Sequence, residues 1–500
     1  MSPSSPPLCI VTLSARSAEE ARQETSLAAE AGADVAEIRF DRWRDRSFDQ
    51  MTRLFPAPLP LLATLRSRSE GGEGPDDPAE RARWFSDIAR LAFAFVDVEW
   101  RQDADSSGAL ALSPGAARIY SVHLASGTPA PEVHRWVTLL TGQEGMAKVV
   151  VPASVGVVLT ELMPNLPPAG EGRLVVHTTG PSGPLLRAWA RRLGFAAVFA
   201  APALETGHGR RAAVEPAQIP IDRLGPYLKA GDSAPLFAIV GRPVSQSRSP
   251  DLHHYWMSAE GRLGLYIALE FGTESELVDS IPRLVAGGFR GLNITHPFKL
   301  VALQASDEAS VGATACGCAN LLTFDDGQVM ADNTDLFACL LRLRELEVAG
   351  RWDGENLLVV GAGGSARATL AAARELGVRP VVAARSGEAE SRLASEFGAE
   401  AARSTAARKV SLLVHATPVG RRGNPTLDVD LRGWLGPESY VLDWVYEPDH
   451  PTLRELATQA EGSYEDGRRL LAYSAAASYG RWWGTTLPSG LVDRALQDWK

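Results

Sequence analysis

The chain is poor in cysteine, with only four in 500 residues, at positions 9, 316, 318 and 339. That is too few for a disulfide framework at this length. Cys316 and Cys318 have no second ligand pair nearby, which argues against a zinc site, and no metal is expected. No apolar run reaches membrane-spanning length. No basic segment precedes an apolar stretch at the N-terminus, and residues 8–13 are too short for a signal sequence. A basic excess is also missing: 50 Lys and Arg stand against 60 Asp and Glu, a formal charge of −10. This balance gives no reason to expect nucleic acid or an anionic membrane as partner. A reducing cytoplasm is the expected location, and the length calls for two or three domains.

What is present is organised around residues 357–386, LLVVGAGGSARATLAAARELGVRPVVAARS. An apolar run of strand length leads into Gly361, Ala362, Gly363 and Gly364, and a helix is expected from Ser365. A second β-branched run at 378–382 closes a βαβ unit. Glycines let the backbone turn tightly and approach a pyrophosphate, while the helix N-terminus offers free N–H groups and partial positive charge. The last position of the Gly-x-Gly-x-x-Gly pattern is Ala366. Strand–loop–helix–strand context favours a dinucleotide site over a glycine turn in some other α/β domain. An NAD site usually carries an acidic residue after the second strand. Here Ala384, Arg385 and Ser386 offer a guanidinium and a hydroxyl, which favours NADP(H). The alternative is that Arg385 is only a solvated surface charge.

The first two hundred residues alternate short apolar runs with helix-like stretches. The runs lie at 8–13, 35–40, 61–65, 94–98, 119–123, 148–152, 174–177 and 196–200, and helices are expected at 18–31, 78–91 and 185–193. Eight strands alternating with helices predict a (β/α)8 TIM barrel, whose chemistry sits at the C-terminal strand ends. Polar residues stand there: Glu37, Arg39, Arg66 with Glu70, His123, Lys148 and Arg187. Lys148 lies among aliphatics, where desolvation lowers an amine's pKa toward the nucleophilic neutral form. Schiff-base chemistry with a ketone is its natural use, with His123 moving protons beside it. By itself, His123 reads equally as a core or rim histidine.

These residues resemble the type I 3-dehydroquinate dehydratases over about residues 7–222. The resemblance rests on ADVAEIRFD from Ala33, on Thr64-Leu65-Arg66 through Glu70-Gly71-Gly72, and on Ser121-Val122-His123. Lys148, the Gly180-x-x-Gly183-x-x-x-Arg187 spacing and Pro216-Ala217-Gln218 complete it. It implies that Lys148 forms an imine with the substrate ketone, that His123 moves the protons and that Glu70 orients its ring. Arg187 would pair the substrate carboxylate. Glu37, Arg39, Arg66 and Gln218 would hold hydroxyls and neighbouring side chains. Val214 and Leu186 stand where the family carries serines. Residues 204–234 read as a loop over the barrel mouth followed by a tight linker.

The second half opens with a strand and then Ser245-Gln246-Ser247-Arg248-Ser249. Ser247 and Ser249, two apart in an extended segment, would point one way and bind one carboxylate. A serine-rich turn capping the helix from Pro250 is the equal alternative. Asn293-Ile294-Thr295-His296-Pro297-Phe298-Lys299, Gly317-Cys318-Ala319-Asn320 and Asn333-Thr334-Asp335 follow, then the glycine loop, Ala416-Thr417-Pro418-Val419-Gly420 and Asp443-Trp444-Val445-Tyr446. This order resembles shikimate dehydrogenase over about residues 235–500. It implies Lys299 and Asp335 as the catalytic pair and Ser247, Ser249, Thr295, Asn320 and Tyr446 as substrate contacts. Residues 361–366, Arg385, Ser386 and Thr417 would hold NADP(H). Ser474, Gln246, His254, Ala384 and His415 replace the family's usual residues, and Ala389 stands where a second basic residue is expected. Trp482 and Trp483 read as packing.

The implied architecture is α/β: a barrel at 1–228, then a two-domain shikimate dehydrogenase-like unit. Its substrate domain spans 235–336, completed by 470–500, and its Rossmann NADP-binding domain spans 337–469. The implied function is a bifunctional shikimate-pathway enzyme. It would dehydrate 3-dehydroquinate to 3-dehydroshikimate and reduce that with NADPH to shikimate. Ser474 and Gln246 leave open a catabolic quinate-type dehydrogenase. A metabolite-sensing regulator is the remaining alternative, against which Lys148, His123, Lys299 and Asp335 speak.

Overall fold

A computed structural model describes residues 6–107, 115–167, 172–203, 215–421, 430–448, 452–497 and 499. The expected loop over the barrel mouth, with Val214, lies in part outside them. Chain contacts separate two compact units, residues 1–236 with 261–288, and residues 237–260 with 289–500.

In the first unit eight parallel strands form a barrel: β1 (Leu8–Thr12), β2 (Val35–Arg39), β3 (Leu61–Thr64), β4 (Phe95–Glu99), β5 (Ala117–His123), β6 (Met146–Pro152), β7 (Leu174–Thr179) and β8 (Ala197–Ala200). They pair in the order β7-β6-β5-β4-β3-β2-β1-β8. Each lies within about two residues of the run expected from the sequence. Ile10, Val35, Leu62, Ile119, Val175, Ala197 and Phe199 form one buried cluster that fills the barrel. Side chains alternate along a strand, so polar residues two places further on share this inward face. The seam between β7 and β8 closes partly through a side chain. Ala196 N–H donates to the Leu174 carbonyl at 2.9 Å, while Phe199 N–H donates to His177 Nε2 at 3.1 Å. The expected helix at 185–193 is shorter, Gly183–Ala188. The helix Ile221–Ala230 runs into the expected linker. A further strand β10 (Leu265–Glu270) and the helix Glu274–Ala286 cluster with the barrel.

In the second unit one sheet runs β9 (Leu236–Gly241), β11 (Phe289–Ile294), β13 (Leu321–Asp325), β14 (Gln328–Asp332) and β12 (Glu308–Ala309). The other is parallel, in the order β17 (Glu400–Ala401), β16 (Val381–Ala383), β15 (Leu357–Val360), β18 (Leu412–His415), β19 (Tyr440–Asp443) and β20 (Ser463–Glu465). The order reverses between β15 and β18, and a doubly wound sheet opens its ligand crevice at such a point. The β16 strand starts later than the expected 378–382, because Pro380 has no N–H for the ladder. At the other end, the helix Arg468–Trp483 is longer than the expected 475–483. It packs on the helix Thr334–Val348. Trp482 stacks on Phe237 with centroids 4.6 Å apart, so it serves packing.

Candidate active sites

Within the barrel, β6 carries Lys148 to the inward face, where it is 5% exposed. Its Nζ lies 3.4 Å from Asp97 Oδ2, 4.0 Å from Glu37 Oε1, and 3.8 Å from the centre of the Phe199 ring. Burial lowers its pKa; Asp97 and Glu37 oppose that shift, while Arg66 and Arg39 reinforce it. Glu37 is held by hydroxyls, accepting from Thr12 at 2.7 Å and from Thr64 at 2.9 Å. Gln218 Nε2 donates to the same Thr12 at 2.9 Å. Arg39 forms a two-pronged pair with Asp41, both contacts at 2.8 Å.

His123 ends β5. Its backbone N–H donates to Glu70 Oε2 at 3.0 Å, and its Nδ1 lies 3.1 Å from that oxygen. Glu70 reaches the ring because the turn Arg68–Glu70 ends on Gly71 at φ +84°, a conformation glycine adopts without strain. Arg66 Nη1 stands nearer still, 2.8 Å from Nδ1. Burial and then the positive charges of Arg66 and Lys148 hold the imidazole well below its ordinary pKa, so it is neutral. Burial also pushes the Glu70 carboxyl up to about 7, with Glu99 and Asp97 adding to the shift and Arg66 opposing it.

The buried Arg66 guanidinium also donates to Asp97 at 3.1 Å and to Glu99 at 2.8 Å. Glu99 bridges onward to Arg81 at 3.1 Å, and Arg81 pairs with Asp103. Such a charge layer persists in a dry interior because each ion is paired and hydrogen-bonded. Asp97 and Glu99 were not among the expected site residues. Their signal was available, as acids alternate with valines in Phe95-Val96-Asp97-Val98-Glu99 and therefore share one face.

Arg187 is buried with Nε and Nη1 bound to the carbonyls of Phe199, Thr178 and Gly183. Burial lowers it to about 10. Its Nη2 is the guanidinium nitrogen left without a hydrogen bond among the described residues.

In the second unit Lys299 Nζ donates to Asp335 Oδ2 at 2.5 Å and to Ser365 Oγ at 3.2 Å. Asp335 Oδ1 accepts from Asn320 Nδ2 at 2.8 Å and from Ser474 at 2.9 Å. Asn320 further binds the Thr334 N–H and hydroxyl, so its amide is occupied within the protein. Ser474, noted in the sequence only as a departure, is thus part of the carboxylate's setting. Ser247 and Ser249 do not lie in an extended segment. Arg248 between them is helical and Ser249 begins the helix Ser249–Ala259. Ser247 Oγ accepts the Ser249 N–H at 3.3 Å, which is the turn alternative. Thr295 follows β11, and its methyl lies against Gly241. Tyr446 sits edge-on to Trp499 at 5.6 Å.

The glycine loop lies at the crevice. Gly361, at φ +133°, would place a Cβ 2.5 Å from the Ala416 carbonyl oxygen, so only glycine fits. The helix Gly364–Glu375 starts without a side-chain cap, and a Cβ on Gly363 would meet open space. Uncapped N–H groups beside open space fit a pyrophosphate. Ala362 and Ala366 continue the loop, with Ala366 buried. Arg385 and Ser386 follow β16, and Ser386 caps the helix Gly387–Phe397. The Thr417 hydroxyl lies 2.5 Å from His415 Nε2, whose Nδ1 is 2.8 Å from Asp443. Among the described residues no group of three or more His, Cys, Asp or Glu is placed to hold a metal ion.

Residues 9–231 match the family model described as type I 3-dehydroquinase, and residues 239–322 match that of the shikimate dehydrogenase substrate binding domain. A shikimate dehydrogenase (NADP(+)) from Dinoroseobacter shibae is 34% identical over 260 residues, 50% of this chain and 92% of its own. The chain belongs to the shikimate dehydrogenase family. A second member, from Paracoccus denitrificans, is 36% identical over 263 residues, 50% of this chain and 91% of its own. A solved structure of dehydroquinate dehydratase and shikimate dehydrogenase from S. pombe is 22% identical, covering 99% of this chain and 98% of its own, with a TM-score of 0.42. Lys299 falls within the shikimate dehydrogenase match, and Lys148 and His123 fall within the dehydroquinase match.

Proposed function

We propose that the chain catalyses two successive steps, the dehydration of 3-dehydroquinate to 3-dehydroshikimate and the NADPH-dependent reduction of that product to shikimate. The observation that carries this reading is that each unit holds its own lysine-centred site, Lys148 beside Asp97 and Lys299 beside Asp335. We keep the domain limits read from the sequence and a cytoplasmic location as part of the proposal, the latter supported by four free cysteines.

In the barrel, neutral Lys148 attacks the substrate ketone. The carbinolamine takes up one proton from solvent and loses water to give an iminium, the proton being returned when the iminium is hydrolysed. The iminium acidifies the adjacent C–H. His123 removes that proton, and the resulting enamine expels the neighbouring hydroxyl as water with the proton His123 has taken. Hydrolysis of the iminium returns Lys148 and the enone. Arg187 pairs the substrate carboxylate through Nη2. Base action at His123 Nε2 requires the proton on Nδ1, with Glu70 as its acceptor.

In the second unit NADPH, when bound, supplies the hydride. The loop at 361–366 takes its pyrophosphate, while Arg385, Ser386 and Thr417 serve the rest of the cofactor. Lys299, held by Asp335, offers an ammonium to the developing negative charge on the ketone oxygen and gives it a proton. Ser247, Ser249, Thr295 and Tyr446 serve the substrate side, while Asn320, its amide shared between Asp335 and Thr334, holds the carboxylate in place.

Purified protein mixed with 3-dehydroquinate is expected to develop enone absorbance, which disappears on adding NADPH. Borohydride added during turnover should trap substrate on Lys148. A Lys148→Ala variant that kept full dehydratase activity would overturn the first half. Enone that persists with NADPH unconsumed would overturn the second.

A further inference from the structure

We propose that Arg403 is a second cation for the 2′-phosphate of the dinucleotide, acting beside Arg385. The inference rests on the NADP(H) reading above. The sequence lacks a basic residue four places after Arg385, where Ala389 stands. The fold supplies one from another element. Arg403 lies in the short turn Ala402–Ser404 after β17, the strand that pairs with β16 at the sheet edge.

Its guanidinium is docked on the cofactor loop. Arg403 Nη2 donates to the Ala384 carbonyl at 3.1 Å and to the Arg385 carbonyl at 2.8 Å, 18 positions earlier in the chain. The buried Glu390 fixes both strands of this corner. Its Oε2 accepts the Ala384 N–H at 3.1 Å and lies 3.5 Å from Arg403 Nε, while Oε1 accepts the Arg403 N–H at 2.9 Å. A Cβ on Gly387 would sit 3.6 Å from Arg403 Nε, so the guanidinium overlies the first turn of the helix that Ser386 caps. Nη1 makes no hydrogen bond among the described residues, and the side chain is 57% exposed.

A cation held in this way meets a phosphate without having to be ordered first. Its planar fork can use one edge for the protein carbonyls and the other for phosphate oxygens. Because Glu390 is already shared with two backbone N–H groups, it offsets the charge of Arg403 only in part. The ligand chemistry is a phosphomonoester on the adenosine ribose. Arg403 would therefore discriminate NADPH from NADH, which lacks that group, and leave the chemistry at Lys299 untouched.

The test is direct binding to the full chain, with NADPH and NADH titrated separately by calorimetry into wild type, Arg403→Gln and Arg385→Gln. Arg403→Gln is expected to weaken NADPH roughly 5- to 10-fold while NADH stays within about twofold, as loss of one solvent-exposed charged hydrogen bond predicts. In competition, 2′,5′-ADP should lose affinity for the variant and 5′-AMP should not. Equal weakening of both cofactors would make Arg403 only a brace for the loop and overturn the proposal, as would no change in either. Wild type that binds the two cofactors equally would instead overturn the NADP(H) reading, visible before any variant is made.

Discussion

Arg66 Nη1 stands 2.8 Å from His123 Nδ1, closer than the 3.1 Å of Glu70 Oε2. The arginine can only donate, so at this contact Nδ1 accepts and the ring proton rests on Nε2. From the sequence, the family resemblance implied only that Glu70 orients this ring. The structure puts a cation in competition for it, and the resting tautomer must change before Nε2 can act as a base.

Replacing Arg66 by Met should therefore raise the His123 pKa, since its charge is the largest depressing influence after burial. A base is lost as pH falls through its pKa, so the acid limb of dehydratase kcat/KM should move to higher pH. His123 ring signals in NMR titrations would report the same shift. The variant should also lose up to about 3–5 kcal/mol in urea unfolding, because Glu99 and Asp97 stay buried with one cation fewer, keeping only Arg81 and Lys148 respectively. An unmoved His123 titration would mean that burial alone sets it.

Glu70 gives a pH dependence of stability. Its carboxyl titrates at about 7 in the fold against an ordinary 4.5. A raised pKa favours the protonated folded form, so this stability is fully present below about 4.5 and is lost as pH rises through about 7. Glu70→Gln mimics the protonated state and should flatten that decline. Urea midpoints of wild type and variant, compared across this window, should diverge as pH rises. Parallel curves would contradict the assignment.

Asp97 holds back the activation of Lys148. Its carboxylate, 3.4 Å away, raises the amine's pKa against the lowering by burial. In Asp97→Asn the amine should be neutral at lower pH, and borohydride trapping of the substrate imine should extend to more acidic conditions. Trapping with an unchanged pH dependence would show that the pair is not electrostatically coupled.

Gly364 shapes the second lysine. A Cβ there would lie 2.5 Å from Lys299 Cδ and 3.0 Å from its Cβ. Gly364→Ala should push the ammonium from its seat against Asp335 and Ser365. A displacement of this kind can cost up to roughly 100-fold in dehydrogenase kcat. NADPH affinity, measured by titration, should change much less. A normal kcat would mean that the side chain relaxes without moving its charge.

The barrel and nucleotide fold were legible because each rests on local pattern. Short apolar β-rich runs marked the strands, and Gly361 to Gly364 between strand and helix marked the cofactor loop. A buried lysine in Ala147-Lys148-Val149 was legible for the same reason, since an amine among aliphatics conflicts with its neighbours. The exact start of β16 was misjudged because a β-branched run hides the missing N–H of Pro380. The two serines of the 247–249 segment were ambiguous because strand and cap use the same residues at the same spacing.

By itself, then, the sequence determined which elements form and which lysines stand inside them, since both follow from periodicity and solvation along a short stretch. Only the tertiary structure decided who faces whom. Arg66 meets His123 across 57 positions, Ser474 meets Asp335 across 139, and Arg403 meets the carbonyl of Arg385 across 18. Such pairings arise where strand ends and helix starts converge, and no local spacing encodes the distance between them.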